Sequence, residues 1–345
     1  MSRNHHPMTA ADRVRAALRH EETERVPYNF MFSPPALRKL HDHLGCADVE
    51  AWVGSHLHFF GTSDKPLYAS PDKYGPTITD QWGVVWATSD RDRGYPVTHP
   101  LANADLTRYE FPDPLEPRRW RHAALNASAR PGLYRVAVVG DLWERAHFLC
   151  GLPTLLLALH DRPAFVHDLL DGILAYNIAT LDRLAGFKPD AMFLSDDYGL
   201  QRSLMMSPDQ WRTFVKPPLE RLFAAARAHG CAMMLHTCGH VTEVIPDLIE
   251  LGLDILHPIQ PEAMDVYGLK REFGRDLTFC GGINTQQLLP CATPAEIHAE
   301  VNHLAQHLGR GGGYIIEPGI TLQADIPLEN LLAVIEAAKS AVSGT

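Results

Sequence analysis

The chain has 345 residues, 46% of them hydrophobic and 21% charged, an ordinary globular composition. With 31 basic and 41 acidic residues the net charge is −10, which argues against a nucleic-acid binder, because such proteins present a basic face. No apolar run approaches the roughly 20 residues needed to span a bilayer, and Met1–Pro7 is polar, without the apolar core of a secretory signal. Six cysteines (Cys46, Cys150, Cys231, Cys238, Cys280 and Cys291) in such a chain suggest reduced thiols and a cytoplasmic protein rather than a disulfide framework.

In chain order, residues 8–20 read as an opening helix, with Thr9 as N-cap and Val14, Ala17 and Leu18 at helical spacing. Tyr28–Phe32 is a short apolar run suited to a buried strand, and residues 33–60 read as mostly helical. Residues 61–132 are rich in Pro, Asp and Gly and carry the aromatic stretch Trp82–Trp86. They read as an excursion with a small hairpin, too poor in apolar residues for a core of its own.

From Tyr134 the pattern becomes regular. Apolar strands are expected at Arg135–Val139, Ala191–Leu194, Ala232–Leu235, Asp254–Leu256, Leu277–Phe279 and Tyr314–Ile316. Helices are expected near 152–186, 207–229, 241–251, 263–273, 294–308 and 328–342. Such alternation implies parallel strands with helical crossovers. A (β/α)8 TIM barrel over residues 1–345, one domain with the excursion at 61–132 within it, fits best, and an open doubly wound sheet is the alternative. An eighth strand is left to lie in the excursion or before Tyr134.

In a parallel barrel the chemistry lies at the C-terminal strand ends. Those positions hold Gly140, Asp141 and Glu144; Ser195 to Gly199; His236 to His240; His257-Pro258; Cys280 to Asn284; and Glu317-Pro318-Gly319. His236 and Cys238, two apart on an extended segment, face the same side and offer the imidazole and thiolate that suit zinc. A hydrogen-bonded His beside a buried Cys is the plainer reading. Of the adjacent pair Asp196-Asp197 only one easily enters the site, and the other suits a helix cap. Glu317 emerges from a buried run, so it is either a site carboxylate or half of an ion pair. Gly281-Gly282 and Gly311-Gly312-Gly313 read as tight turns, since no phosphate-binding fingerprint occurs. Asp80-Gln81-Trp82-Gly83 reads as a lid over the mouth or as ordinary loop packing.

Taken together these motifs resemble the uroporphyrinogen decarboxylase superfamily, which also holds the cobalamin- and coenzyme M-dependent methyltransferases. The resemblance covers nearly the whole chain. Its carriers are Arg25-Val26-Pro27, Asp80 to Gly83, Ser195 to Gly199, Leu235 to Gly239, Phe279 to Thr285, Gly311 to Pro318 and Asp325 to Asn330. It implies the same barrel. It also implies an arginine-rich substrate loop after the first strand in the decarboxylase, yet Phe32 and Ala36 stand where two arginines belong. A porphyrinogen with eight acidic groups would lose charge-assisted hydrogen bonds there. The chain is closer to the methyltransferase-like branch, in which zinc is held by an H-x-C pair and a distant cysteine. His236 and Cys238 match the pair, but Ile320 follows Pro318-Gly319 where the cysteine belongs. The third ligand is then Glu317, Cys280 or Asp197, with Glu317 taken first.

The expected function is a zinc-dependent methyl transfer between a small methylated compound and a corrinoid protein. Asp197, Glu317 and Asp80 are the expected acid–base groups, and Asn29, Glu144, Tyr198, His257 and Asn284 the expected substrate lining. One zinc per chain is expected. The chain carries no cobalamin-binding motif, so the corrinoid comes from a partner protein. A homodimer is the expected self-association. The alternatives are a carboxy-lyase acting on a porphyrinogen or smaller carboxylated substrate, and a non-catalytic metal- or corrinoid-binding accessory protein.

Overall fold

The computed structural model describes residues 8–45, 48–62, 65–90 and 93–344. The expectations on Met1–Pro7 and Cys46 lie outside those residues. The strands in chain order are β1 (Leu57–Gly61), β2 (Thr77–Thr79), β3 (Val85–Ala87), β4 (Pro96–Thr98) and β5 (Tyr134–Gly140). They continue with β6 (Ala191–Ser195), β7 (Ala232–His236), β8 (Ile255–Ile259), β9 (Thr278–Ile283) and β10 (Tyr314–Pro318). Seven of them form one parallel sheet in the order β1-β5-β6-β7-β8-β9-β10. Their near-continuous apolar runs suit strands covered on both faces, and β8, β9 and β10 are buried throughout.

The crossover helices follow the expected spacing. Trp143–Cys150, Leu152–Asp161 and Pro163–Ala185 connect β5 to β6. Pro294–Leu308 connects β9 to β10, and Leu328–Ser340 follows β10. The opening helix is Ala10–Leu18, where Thr9 and Asp12 form a reciprocal cap.

Three local expectations are corrected. Leu57–Gly61 is a strand at the end of a region expected to be helical; the helices there are Pro34–Leu44 and Val49–Val53. The excursion carries a three-stranded antiparallel sheet, β2-β3-β4, rather than a hairpin; Trp82, Val84, Trp86 and Leu101 pack into the main core. Gly281 and Gly282 lie inside β9 rather than in a turn. A Cβ on Gly281 would stand 2.6 Å from the Ile259 amide nitrogen, at a φ of +133°, so the close approach of β8 excludes any larger residue there.

Tyr28–Phe32 makes only isolated parallel bridges, Tyr28 to Ile316 and Phe32 to Leu322. Pro27 has no amide to extend the ladder. The segment nonetheless joins both edges of the sheet. The Ile316 amide donates to Pro27 O at 2.8 Å and the Asn29 amide to Ile316 O at 2.9 Å, while the His56 amide donates to Tyr28 O at 2.9 Å.

Inside the sheet, Leu57, Tyr134, Val136, Ala191, Phe193, Met234, Ile255, Cys280 and Ile315 form a cluster that Ala11 and Val14 of the opening helix close at one end. Side chains alternate along strands, so the next inward position on β7, β8 and β10 belongs to His236, His257 and Glu317. The polar residues at the mouth thus sit directly above an apolar plug.

His56 ties the bridging segment to β1. Its Nδ1 accepts from the Tyr28 amide at 3.1 Å, and burial pushes its pKa down to about 4. Such a group stabilises the fold while neutral, above its unfolded pKa of about 6.5, and that contribution is lost as pH falls toward 4. We expect denaturant melts to show His56 accounting for a loss on the order of 3 kcal/mol between pH 7 and pH 4. His56→Gln should lower stability at pH 7 and flatten that slope; an unchanged slope would contradict the assignment.

Candidate functional site

Parallel register builds the site. Ser195 pairs with His236 and His236 with His257 on β6, β7 and β8, placing the two imidazoles side by side at the strand ends. One ring nitrogen of His236, Nε2, lies 3.3 Å from Cys238 Sγ and 3.3 Å from Asp197 Oδ1. The other, Nδ1, lies 3.0 Å from Nδ1 of His257. Asp197 also accepts the Cys238 amide at 2.8 Å, which fixes the carboxylate to the loop after β7. That loop and the loop after β6 meet at Gly199 and Gly239, where a Cβ on Gly199 would lie 2.6 Å from Cys238 O. Only a residue without a Cβ allows the approach.

Burial alone would push the Asp197 carboxyl up. The hydrogen bond and charge of His236, the Cys238 amide and the charge of Lys65 together hold it well below the usual carboxylate range. His236 is pushed well above its usual value despite burial, because Cys238 and Asp197 face it. The ligand atoms of Asp197, His236 and Cys238 all lie within 4.8 Å of one another. A tetrahedral zinc with bonds of about 2.0–2.3 Å sets its ligands about 3.5 Å apart, so this imidazole, thiol and carboxylate fit such an ion.

Glu317 does not join that group. It stands with His257 and Cys280 in a second buried set, also within 4.8 Å. Its Oε1 accepts from Asn29 Nδ2 at 2.8 Å and its Oε2 from the Cys280 thiol at 2.9 Å, and His257 Nε2 lies 3.5 Å from Oε2. Burial pushes Glu317 up, but His257, Cys280 and Asn29 bring it below its ordinary value. Thus Asn29 and His257 reach the site through Glu317 and His236.

The remaining sequence candidates have other duties. Asp80 Oδ1 accepts the Trp82 and Val84 amides at 2.9 and 3.0 Å, and Oδ2 accepts Trp86 Nε1 at 2.9 Å and Arg145 Nη1 at 3.2 Å. It closes the β2–β3 turn and anchors the excursion. Asn284 Oδ1 accepts the amides of Gln287 and Leu288. Tyr198 is fully buried with its ring edge on Trp211. Asp196, also fully buried, faces away from Asp197. It accepts the Leu142, Trp143 and Glu144 amides at 3.0, 3.1 and 2.7 Å, capping the helix Trp143–Cys150 from another strand.

Lys65 was not singled out from sequence. It lies 3.0 Å from Asp141 Oδ2 and bonds Glu144, and Arg145 Nε bonds Asp141 Oδ1 at 2.9 Å. Burial pushes Glu144 up against the pull of Lys65, with Asp197 and Asp141 adding to the rise. Lys65 helps to hold Asp197 ionised, and Asp197 in turn partly offsets the burial that pushes His147 down. Lys65 gave no pattern signal because it sits alone in a Pro- and Asp-rich loop.

The structure is thus a parallel α/β sheet with an imidazole, a thiol and a carboxylate, each partly buried, gathered at its strand ends. Residues 90–341 match the uroporphyrinogen decarboxylase (URO-D) family, and the chain belongs to it. Its relatives lie in the methyltransferase-like branch. A methylated-thiol–coenzyme M methyltransferase of Methanosarcina mazei is 24% identical over 177 residues, 51% of this chain and 45% of its own. A methylcobamide:CoM methyltransferase, MtaA, of Methanosarcina barkeri is 26% identical over 133 residues, 39% of this chain and 37% of its own. The matches thus span less than half the length of either curated relative. The solved structure of a methyltransferase from Methanosarcina mazei, 16% identical, shares the fold, with a TM-score of 0.74 over 96% of this chain and 99% of its own. Among the described residues no helix is long and apolar enough to cross a membrane.

Lys65 is the cation between two buried carboxylates. Removing one partner of a buried ion pair costs about 3–5 kcal/mol. We expect Lys65→Met to lose about that much stability at pH 7 in chemical denaturation and to regain part of it at lower pH, because burial already pushes the Glu144 carboxyl up and favours its neutral form. Parent-like stability at both pH values would contradict this role.

Proposed function

We propose that this chain is a zinc-dependent methyltransferase that moves a methyl group between a small methylated compound and the corrinoid of a partner protein. The observation that carries the reading is the convergence of Asp197, His236 and Cys238 at the strand ends. The names of the relatives support the reaction class. Of the three candidates for third ligand, the distances favour Asp197.

Zinc bound there would supply Lewis acidity, drawing a thiol or other heteroatom toward its deprotonated form. The protein's own part is orientation and charge. Asp197 is kept ionised by His236, the Cys238 amide and Lys65, so it is ready to coordinate without first releasing a proton. Cys238 must release one to bind metal; burial pushes its thiol up, and His236 pulls it back. Glu144, with its carboxyl pushed up by burial and by the charge of Asp197, bonds Lys65 and is suited to hold a proton. The apolar cluster beneath keeps water from the underside of the site.

Decarboxylation of uroporphyrinogen is disfavoured by the loop after Tyr28. Ala36 is completely buried in the helix Pro34–Leu44 and Phe32 packs against the core, so neither position offers a countercharge. An anaerobic assay with uroporphyrinogen III should therefore yield no coproporphyrinogen at enzymatic turnover. Ordinary turnover would favour the lyase.

The metal test is direct. Purified protein should hold about one zinc per chain, and His236→Ala or Cys238→Ala should bring it close to zero with the fold intact. The zinc form should demethylate methylcobalamin in the presence of a thiol, and the two variants should not. Bound zinc with no turnover on any methyl donor would favour an accessory binding protein, and equal metal in parent and variants would end the proposal.

A further inference from the structure

The second buried set, His257, Cys280 and Glu317, takes no part in the reading above. Its chemistry follows from one geometric fact. Nδ1 of His236 and Nδ1 of His257 face each other at 3.0 Å, and a single proton can lie between them. If His236 presents its Nε2 lone pair toward Cys238 and Asp197, its own proton must be on Nδ1. His257 Nδ1 is then the acceptor, and a neutral His257 carries its proton on Nε2. That nitrogen faces Glu317 Oε2 at 3.5 Å. Glu317 can only accept, and everything else around it donates: Asn29 Nδ2 at 2.8 Å and the Cys280 thiol at 2.9 Å. The three donors and the carboxylate have one consistent polarity, running from His236 to Glu317.

We infer that Glu317 and His257 are positioning residues that act through His236, a buried carboxylate–imidazole–imidazole relay that fixes the tautomer and ring orientation of the proposed metal ligand and raises its basicity. The inference rests on the zinc reading of the site. It differs from a second metal centre, in which His257, Cys280 and Glu317 would themselves bind an ion. Two features favour the relay. The Cys280 thiol is pushed well above its usual value by burial and by Glu317, so it stays a hydrogen-bond donor rather than a thiolate. In addition, all three groups are buried, and the Glu317 carboxylate already faces three donors, Asn29, Cys280 and His257. Partners of this kind behind a metal-bound histidine typically change metal affinity about 10–100-fold.

The test is zinc affinity by chelator competition, read together with stoichiometry and far-ultraviolet circular dichroism. Glu317→Gln keeps the shape but removes the charge, and should weaken zinc about 10-fold or more while the chain stays folded. His257→Leu should weaken it similarly, and His257→Asn, which keeps an acceptor for His236 Nδ1–H, should weaken it less. Because the residues act in series, Glu317→Gln combined with His257→Leu should be no weaker than the worse single variant. Parent-like affinity in both single variants, additive losses, or two zinc ions per parent chain would overturn the relay. If a His257 variant fails to fold, Glu317→Gln alone decides. A parent that binds no zinc at all would instead overturn the metal reading, and the relay with it.

Discussion

His236 stands between two unlike neighbours, a carboxylate and a thiol on its Nε2 side and a second imidazole on its Nδ1 side. That placement follows from register. Parallel pairing sets His236 opposite His257, and the alternation of side chains points both inward above the apolar layer of Met234 and Ile255. A slip of one residue on β7 would turn His236 outward and bring Leu235 into the mouth. The packed layer below resists such a slip. The core therefore does more than stabilise the sheet: it sets which side chains meet at its end.

The same logic explains why two adjacent aspartates have opposite duties. Asp196 turns toward the crossover and gathers three backbone amides at the start of the helix Trp143–Cys150, meeting donors that helix ends leave unpaired. Asp197 turns to the mouth. The capped helix carries Glu144, Arg145 and His147. Arg145 reaches both Asp141 and Asp80, so the excursion is clamped onto the strand-end rim of the sheet by buried charge. Lys65, on the excursion side, completes the balance beside Asp197. The rim network and the centre are thus electrostatically one body.

Much of this was legible in the residues. The strand runs from Tyr134 onward were marked by β-branched and apolar stretches, and their ends collected the polar side chains. The same-face spacing of His236 and Cys238 was visible because it is local. Leu57–Gly61 was not legible, since Leu-His-Phe-Phe-Gly shows no period-two alternation and follows directly on a stretch with helical spacing. Asp80 and Asn284 cap their own turns in the structure, and in sequence such a carboxylate or amide looks like one that faces a cleft. Lys65 meets Asp141 and Glu144 from the segment after β1, and β8, β9 and β10 bring His257, Cys280 and Glu317 together from far apart in the chain. Three-dimensional adjacency, not residue type, separated Glu317 from Asp197.

The central claim is that one sulfur, one imidazole and one carboxylate converge on a single ion. X-ray absorption at the zinc edge of the purified protein tests it most directly. The account predicts a mixed first shell with one sulfur at about 2.3 Å and nitrogen and oxygen at about 2.0–2.2 Å, with the sulfur signal lost in Cys238→Ser. A shell with two or more sulfurs, or one without any, would contradict it.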